Sequence, residues 1–115
     1  LGDSVTFSGF VNPIEAMGRS DMIVQLSVWE NCSYTLLDAK AAGLKTVATA
    51  VGGNPEILGA DELVDRQSAT LTQDVLQAMR AQLQKGKPEP FTWISNEQMA
   101  AQTVDIYARV LRGGR

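Results

Sequence analysis

Residues 22–50 read Met22-Ile23-Val24-Gln25-Leu26, then Ser27-Val28-Trp29-Glu30-Asn31-Cys32-Ser33-Tyr34, then Thr35-Leu36-Leu37-Asp38-Ala39-Lys40-Ala41-Ala42-Gly43, then Thr46-Val47-Ala48-Thr49-Ala50. The first run is short, almost wholly apolar and β-prone, as a strand covered on both faces should be. The third is a helix over 35–42, with Ser33 as its expected N-cap and Gly43 as the residue that ends it. The fourth is a second strand. Strand, helix and strand joined by short links predict a parallel pair with a helix packed across it.

The same alternation extends outward. Val5-Thr6-Phe7-Ser8 reads as a short strand stopped by Gly9, and residues 13–19 as a short helix with Pro13 at its first position. Asn54 to Leu58 reads as a one- to two-turn helix with Asn54 as N-cap, and Glu62-Leu63-Val64 as a last strand. Two longer helices follow. Thr70 to Gln84 sets Leu71, Val75, Leu76, Met79 and Leu83 on one face. The loop 85–90 breaks the pattern. Ser95 to about Leu111 opens on a Ser95/Gln98 capping box and carries Met99, Thr103, Ile106, Tyr107 and Val110 as its apolar face. The tail 112–115 is expected to fray. The fold class that results is α/β, a partial Rossmann-like domain with a mostly parallel sheet flanked by helices.

The chain has 115 residues, 44% hydrophobic and 20% charged, which fits one globular domain. The net charge of -3 gives no electrostatic case for nucleic acid or an anionic membrane as partner. There is no histidine and one cysteine, Cys32. A Ser-His-Asp or Cys-His relay, an internal disulfide and a Cys/His zinc site are therefore excluded within the chain. No apolar run approaches the roughly 18 residues of a membrane helix, and no transmembrane segment or signal peptide is expected. The first residue is Leu1, so the chain is expected to be processed or cut from something longer.

Ligands of parallel sheets bind outside the carboxyl ends of the strands. That directs attention to two loops, Ser27 to Tyr34 and Val51 to Glu56. In the first, N–H groups at a helix start suit a phosphate. Glu30 before it and Asp38 about a turn inside the helix could flank an anion held there and accept hydrogen bonds from sugar hydroxyls. In the second, Gly52 and Gly53 remove Cβ atoms where a ligand or another backbone must come close. Glu56 is placed to stabilise a helix N-terminus. Cys32 lacks a base and reads as a spectator thiol. Asn31-Cys32-Ser33 matches a glycosylation sequon by chance if the protein is cytosolic. Trp29 and Trp93 read as packing residues, and Lys85 and Lys87 as a loop charge pair.

Glu30-x7-Asp38, Ala41-Ala42-Gly43-Leu44-x-Thr46-Val47-Ala48-Thr49 and Val51-Gly52-Gly53-x-Pro55-Glu56, preceded by Phe7-Ser8-Gly9-Phe10-Val11, resemble the donor-binding half of a retaining glycosyltransferase of the GT-B fold, in family 4 of those enzymes. The resemblance covers nearly the whole chain in order. It implies transfer of a sugar from a nucleotide diphosphate sugar to an acceptor hydroxyl, with no cofactor and no metal. Residues 1–115 would be the C-terminal part of the nucleotide-sugar-binding domain. The N-terminal acceptor domain of the same enzyme and the first strands of this domain would be missing. Glu30 would be the catalytic-site acid, meeting hydroxyls of the transferred sugar. Asp38 would hold the ribose. Backbone around Asn31, Cys32, Ser33 and Tyr34 would meet the diphosphate or sugar, with Gly52 and Gly53 close by, and Phe10 and Val11 would border the base.

Asp38 stands where the family usually has Glu, one methylene longer, and Lys45 stands where it has Pro. The basic pair that neutralises the diphosphate in such enzymes lies in an earlier part of this domain. The chain alone is therefore expected to be inactive. In the family sheet two strands lie between those resembling 5–9 and 22–26, so an isolated piece is expected to expose strand edges. Cytoplasmic location follows because nucleotide sugars are cytosolic.

Other classes fit less well. A receiver-like signalling domain, a nonenzymatic α/β module, needs an acceptor Asp after a central strand. A dinucleotide-binding oxidoreductase needs Gly-x-Gly-x-x-Gly where the chain has Gly9-Phe10-Val11-Asn12-Pro13. An epimerase or phosphorylase of the same architecture remains an alternative that the fold does not separate.

Overall fold

The structure is a computed structural model and describes residues 2–113. Its elements run α1 (Pro13–Gly18), β1 (Met22–Gln25), α2 (Tyr34–Ala41), β2 (Lys45–Thr49), α3 (Asn54–Ile57), β3 (Leu63–Val64), α4 (Leu71–Gln84) and α5 (Asn96–Gly113), with 3-10 turns at Gly2–Ser4 and Ala60–Glu62. The three strands form one parallel sheet in the order β1-β2-β3. Met22 to Gln25 pair with Lys45 to Ala48, and Ala48 and Thr49 with Leu63 and Val64. The fold is a three-stranded parallel sheet flanked by helices, a partial Rossmann-like domain.

Alternation along the strands divides the core in two. On one face Leu36 of α2, Ala48, Ile57 and Leu58 are buried together, with Ile23 and Phe91 against them. On the other, Val47 and Val64 pack on Val75 of α4, with Met22, Leu71, Ala78 and Met79 around them. Leu36 and Val47 are fully buried. Complete burial of one such side chain contributes roughly 1.5–3 kcal/mol.

Helix α2 is set by its caps. Ser33 Oγ accepts from Leu36 N at 3.2 Å. At the other end Gly43 has φ +72°, and its N–H donates to Lys40 O while Leu44 N donates to Ala39 O. That pair of bonds is the Schellman motif, and it drops buried Leu44 back onto the helix before β2 starts. Helix α1 begins on Pro13 with Asn12 Oδ1 accepting from Ile14 N at 2.9 Å. Helix α5 opens on the reciprocal box, Ser95 N to Gln98 Oε1 and Gln98 N to Ser95 Oγ.

Several expectations need correction. Val5 to Ser8 is not a strand. The segment is exposed and has no neighbour to supply ladder hydrogen bonds, and it does not close on the free edge of β1. Strand β1 lies at a sheet edge, as expected of an isolated piece, but it is not covered on both faces: Val24 is 38% exposed, and Leu26 falls outside the strand. Asn54 is not the N-cap of α3; Gly53 is, and Asn54 is the first helical residue. The fully buried Asn54 side chain instead donates from Nδ2 to Thr49 O at 3.0 Å, and its Oδ1 meets no partner among the described residues. Glu62 belongs to the 3-10 turn rather than to β3.

On α4 the buried face runs through Val75 and Gln82, with Leu71, Ala78 and Met79 partly buried, while Leu76 and Leu83 are exposed. Gln82 displaces Leu83 because its amide reaches the backbone and side-chain oxygens of Asp61 at 2.9 Å. The apolar face of α5 buries nothing. The helix extends through Arg112 and Gly113; residues 114–115, and Leu1 at the start, lie outside the described residues.

Glu62 ties β2 to helix α2 and closes its own 3-10 turn. Its carboxylate accepts from Lys40 Nζ at 2.9 Å, from Thr46 Oγ1 and from Gly59 N at 2.9 Å. Burial acts to raise its pKa, but the bonds from Thr46, Lys40 and Gly59 together outweigh it and hold the carboxyl below its usual range.

Candidate functional site

Because β1 and β2 are parallel neighbours, the loops that leave them emerge side by side. Thr49 Oγ1, at the end of β2, donates to Ser27 O at 2.7 Å and fastens one loop to the other. Beyond it the Gly52-Gly53 turn lies flat against the backbone of residues 30 and 31. Gly52 has φ +50°, and a Cβ there would meet Glu30 O at 1.5 Å. A Cβ on Gly53 would meet Asn31 O at 2.1 Å. The close approach that the paired glycines permit is thus to the chain's own backbone.

Glu30 sits half-buried at this edge. Gln25 Nε2 and Ser27 Oγ both donate to its Oε1, at 2.5 and 2.8 Å. Gln25 is the last residue of β1 and lies on the face that carries α2, where its Oε1 accepts from Ser33 Oγ at 2.8 Å. The cap of α2 and the acid of the preceding loop therefore share one side chain. Sequence reasoning singled out Glu30 and Ser33 but missed Gln25. The available signal was a lone polar residue ending an otherwise apolar strand.

Asp38 is exposed on α2, one turn in from the helix start. It lines a hollow of about 410 Å³ with Pro13, Ile14, Met17, Gly18, Ala41 and Ala42. The hollow is therefore an apolar slot between α1 and α2 with one carboxylate on its wall. Phe10 and Val11 are exposed in the segment that leads into α1. Asn31, Cys32 and Tyr34 are exposed around the α2 N-terminus, whereas Ser33 is buried by its capping role. Trp29 is 70% exposed, so it is not a packing residue. Trp93 is partly exposed and stacks on Phe91 with ring centroids 6.0 Å apart.

A second hollow, about 290 Å³, is lined by Lys40, Lys45, Glu62, Lys85 and Lys87 among others, and includes neither Glu30 nor Asp38. Three of its lysines are engaged structurally, Lys40 with Glu62 among them. Lys45 Nζ donates to Leu83 O and Lys85 O at the end of α4, and Lys85 pairs with Asp61. Among the described residues no three His, Cys, Asp or Glu side chains group to hold a metal ion, and no helix is long and apolar enough to cross a membrane.

Comparison with curated proteins and with solved structures gives no significant match. The family model described as Glycosyl transferases group 1 matches residues 1–96, a span that holds the whole sheet, the 27–34 and 51–56 loops, Glu30 and Asp38. The chain belongs to the group 1 glycosyl transferase family.

Proposed function

We propose that this chain is the nucleotide-sugar-binding part of a retaining glycosyltransferase of the GT-B type. The enzyme moves a sugar from a nucleotide diphosphate donor to an acceptor hydroxyl. The observation that carries the reading is the anchored Glu30 carboxylate at the carboxyl edge of the sheet, beside the α2 N-terminus, with Asp38 and its hollow one turn further into that helix. In this reading Glu30 accepts hydrogen bonds from hydroxyls of the transferred sugar. The first turn of α2 faces the diphosphate, with Asn31, Cys32, Ser33 and Tyr34 contributing backbone and Gly52 and Gly53 holding that backbone in place. Asp38 accepts from the ribose hydroxyls, and the apolar slot by α1, with Phe10 and Val11 near it, takes the nucleoside.

An acceptor domain earlier in the same enzyme completes the reaction, and the chain by itself is inactive. Nucleotide sugars place the reaction in the cytoplasm. The test is nucleoside diphosphate release by the intact protein from a panel of UDP-, GDP- and ADP-sugars. Turnover of one donor that collapses in Glu30→Ala supports the reading. Absence of both turnover and donor binding in folded protein overturns it.

A further inference from the structure

The Glu30 carboxylate is held by one side only. Gln25 Nε2 and Ser27 Oγ converge on Oε1, and among the described residues no donor reaches Oε2. Gln25 Nε2 also lies 3.1 Å from Ser27 Oγ, so the three groups form a closed cluster.

The orientation of the Gln25 amide is set by chemistry. Ser33 Oγ accepts from the Leu36 N–H as the cap of α2 and donates its own proton to Gln25 Oε1. That leaves Nε2 facing Glu30. Turning the amide over would set its oxygen against the Glu30 carboxylate and lose that bond, while Ser33 Oγ would have to accept from the NH2 group instead of donating to the amide oxygen. The bonds therefore run in one direction, from the helix backbone through Ser33 and Gln25 to Glu30. An apolar side chain at position 25 would cover the same surface and could do neither.

We propose that Gln25 is a positioning residue for Glu30. It anchors Oε1 so that Oε2 is presented to the donor sugar, and through Ser33 it holds that carboxylate in fixed relation to the first turn of α2. The inference rests on the reading of Glu30 given under Proposed function.

The test uses the intact protein and whichever donor of the UDP-, GDP- and ADP-sugar panel it turns over. Gln25→Met keeps the length and removes all three hydrogen bonds of the amide, to Ser27, Glu30 and Ser33. The expected result is a kcat lowered by about 10- to 100-fold. The affinity for the free nucleoside diphosphate, which lacks the sugar, stays within about twofold of wild type, because the misplaced carboxylate is met only by the sugar.

Gln25→Glu sets a second carboxylate against Glu30. Its activity should be low at pH 8 and recover toward pH 5, where a shared proton restores the bond, while the wild-type profile shows no such rise. An unchanged kcat in Gln25→Met while Glu30→Gln collapses turnover would sink the positioning role alone. Parallel loss of nucleoside diphosphate binding and kcat would reduce Gln25 to a structural residue. If Gln25→Met does not fold, the pH profile of Gln25→Glu decides, and a wild-type profile there overturns the proposal. Full turnover in Glu30→Gln, or no donor turned over by wild type, defeats the reading of Glu30 on which the inference stands.

Discussion

Gly52 lies so close to Glu30 that a Cβ on the glycine would fall 1.5 Å from the Glu30 backbone oxygen. Contact at that distance with backbone cannot be relieved by a rotamer change, and the positive φ adds strain for any other residue. Gly52→Ala should therefore push the 27–33 loop outward, destabilise the fold by roughly 2–4 kcal/mol and abolish donor turnover. Thermal denaturation and the nucleoside diphosphate release assay check both effects.

Gly43 provides the contrast. It also has positive φ, but a Cβ there meets nothing within 4 Å. Gly43→Ala should cost only the backbone term, about 1 kcal/mol, and leave donor KM unchanged. A urea titration that shows a loss equal to that of Gly52→Ala would contradict this.

Ser33→Ala removes the cap of α2 and the proton that orients Gln25. The cap alone is worth about 1 kcal/mol, which lowers the melting temperature by several degrees. Because Gln25 then loses its anchor, kcat should fall as in Gln25→Met. Ser33→Thr, which keeps the hydroxyl, should recover most of both.

Asp38 is exposed and makes no hydrogen bond that the fold depends on. Asp38→Asn should change stability by less than about 0.5 kcal/mol. It should weaken binding of the nucleoside diphosphate roughly tenfold or more, the scale of a lost hydrogen bond to a charged acceptor. Isothermal titration of wild type and variant separates the two effects.

Glu62 gives the fold an acid-sensitive joint. Its folded-state pKa lies below the unfolded value of about 4.3. The stability it contributes is therefore complete above that value and is lost as pH falls through the lower folded-state pKa. Lys40→Met removes the cation and leaves a nearly buried carboxylate, at a cost of roughly 2–4 kcal/mol at pH 7. The variant should lose less than wild type between pH 7 and pH 4, because less of the pKa depression remains. Urea unfolding at the two pH values measures the difference.

The segment from β1 to β2 was legible because its signals are local. Ser33 before an apolar helix and Gly43 after it define α2 without reference to the rest of the chain. Residues 5–8 have the same β-rich look as Met22 to Leu26, yet a strand exists only where another supplies its hydrogen bonds, and no local pattern reports that partner. Glu30 and Asp38 stood out by spacing. Gln25 did not, because its role depends on which face of β1 it occupies and on Ser33 lying opposite, both tertiary facts. Asn54 has the residue type of a cap, but the open carbonyl of Thr49 claims its side chain. Gln82 was not singled out, because what buries it is its partner Asp61, on the 3-10 turn before β3.

Among the described residues strand β2 alone is paired on both sides, and four of its five residues are buried. The amide protons of Thr46 to Thr49 should then be the last in the chain to exchange with deuterated solvent, and those of α5, which buries no residue, among the first. The carbonyl that holds Asn54 and the hydroxyl that holds the Ser27 loop both belong to Thr49, so the slowest-opening part of the molecule is also the foundation to which its candidate donor site is bolted.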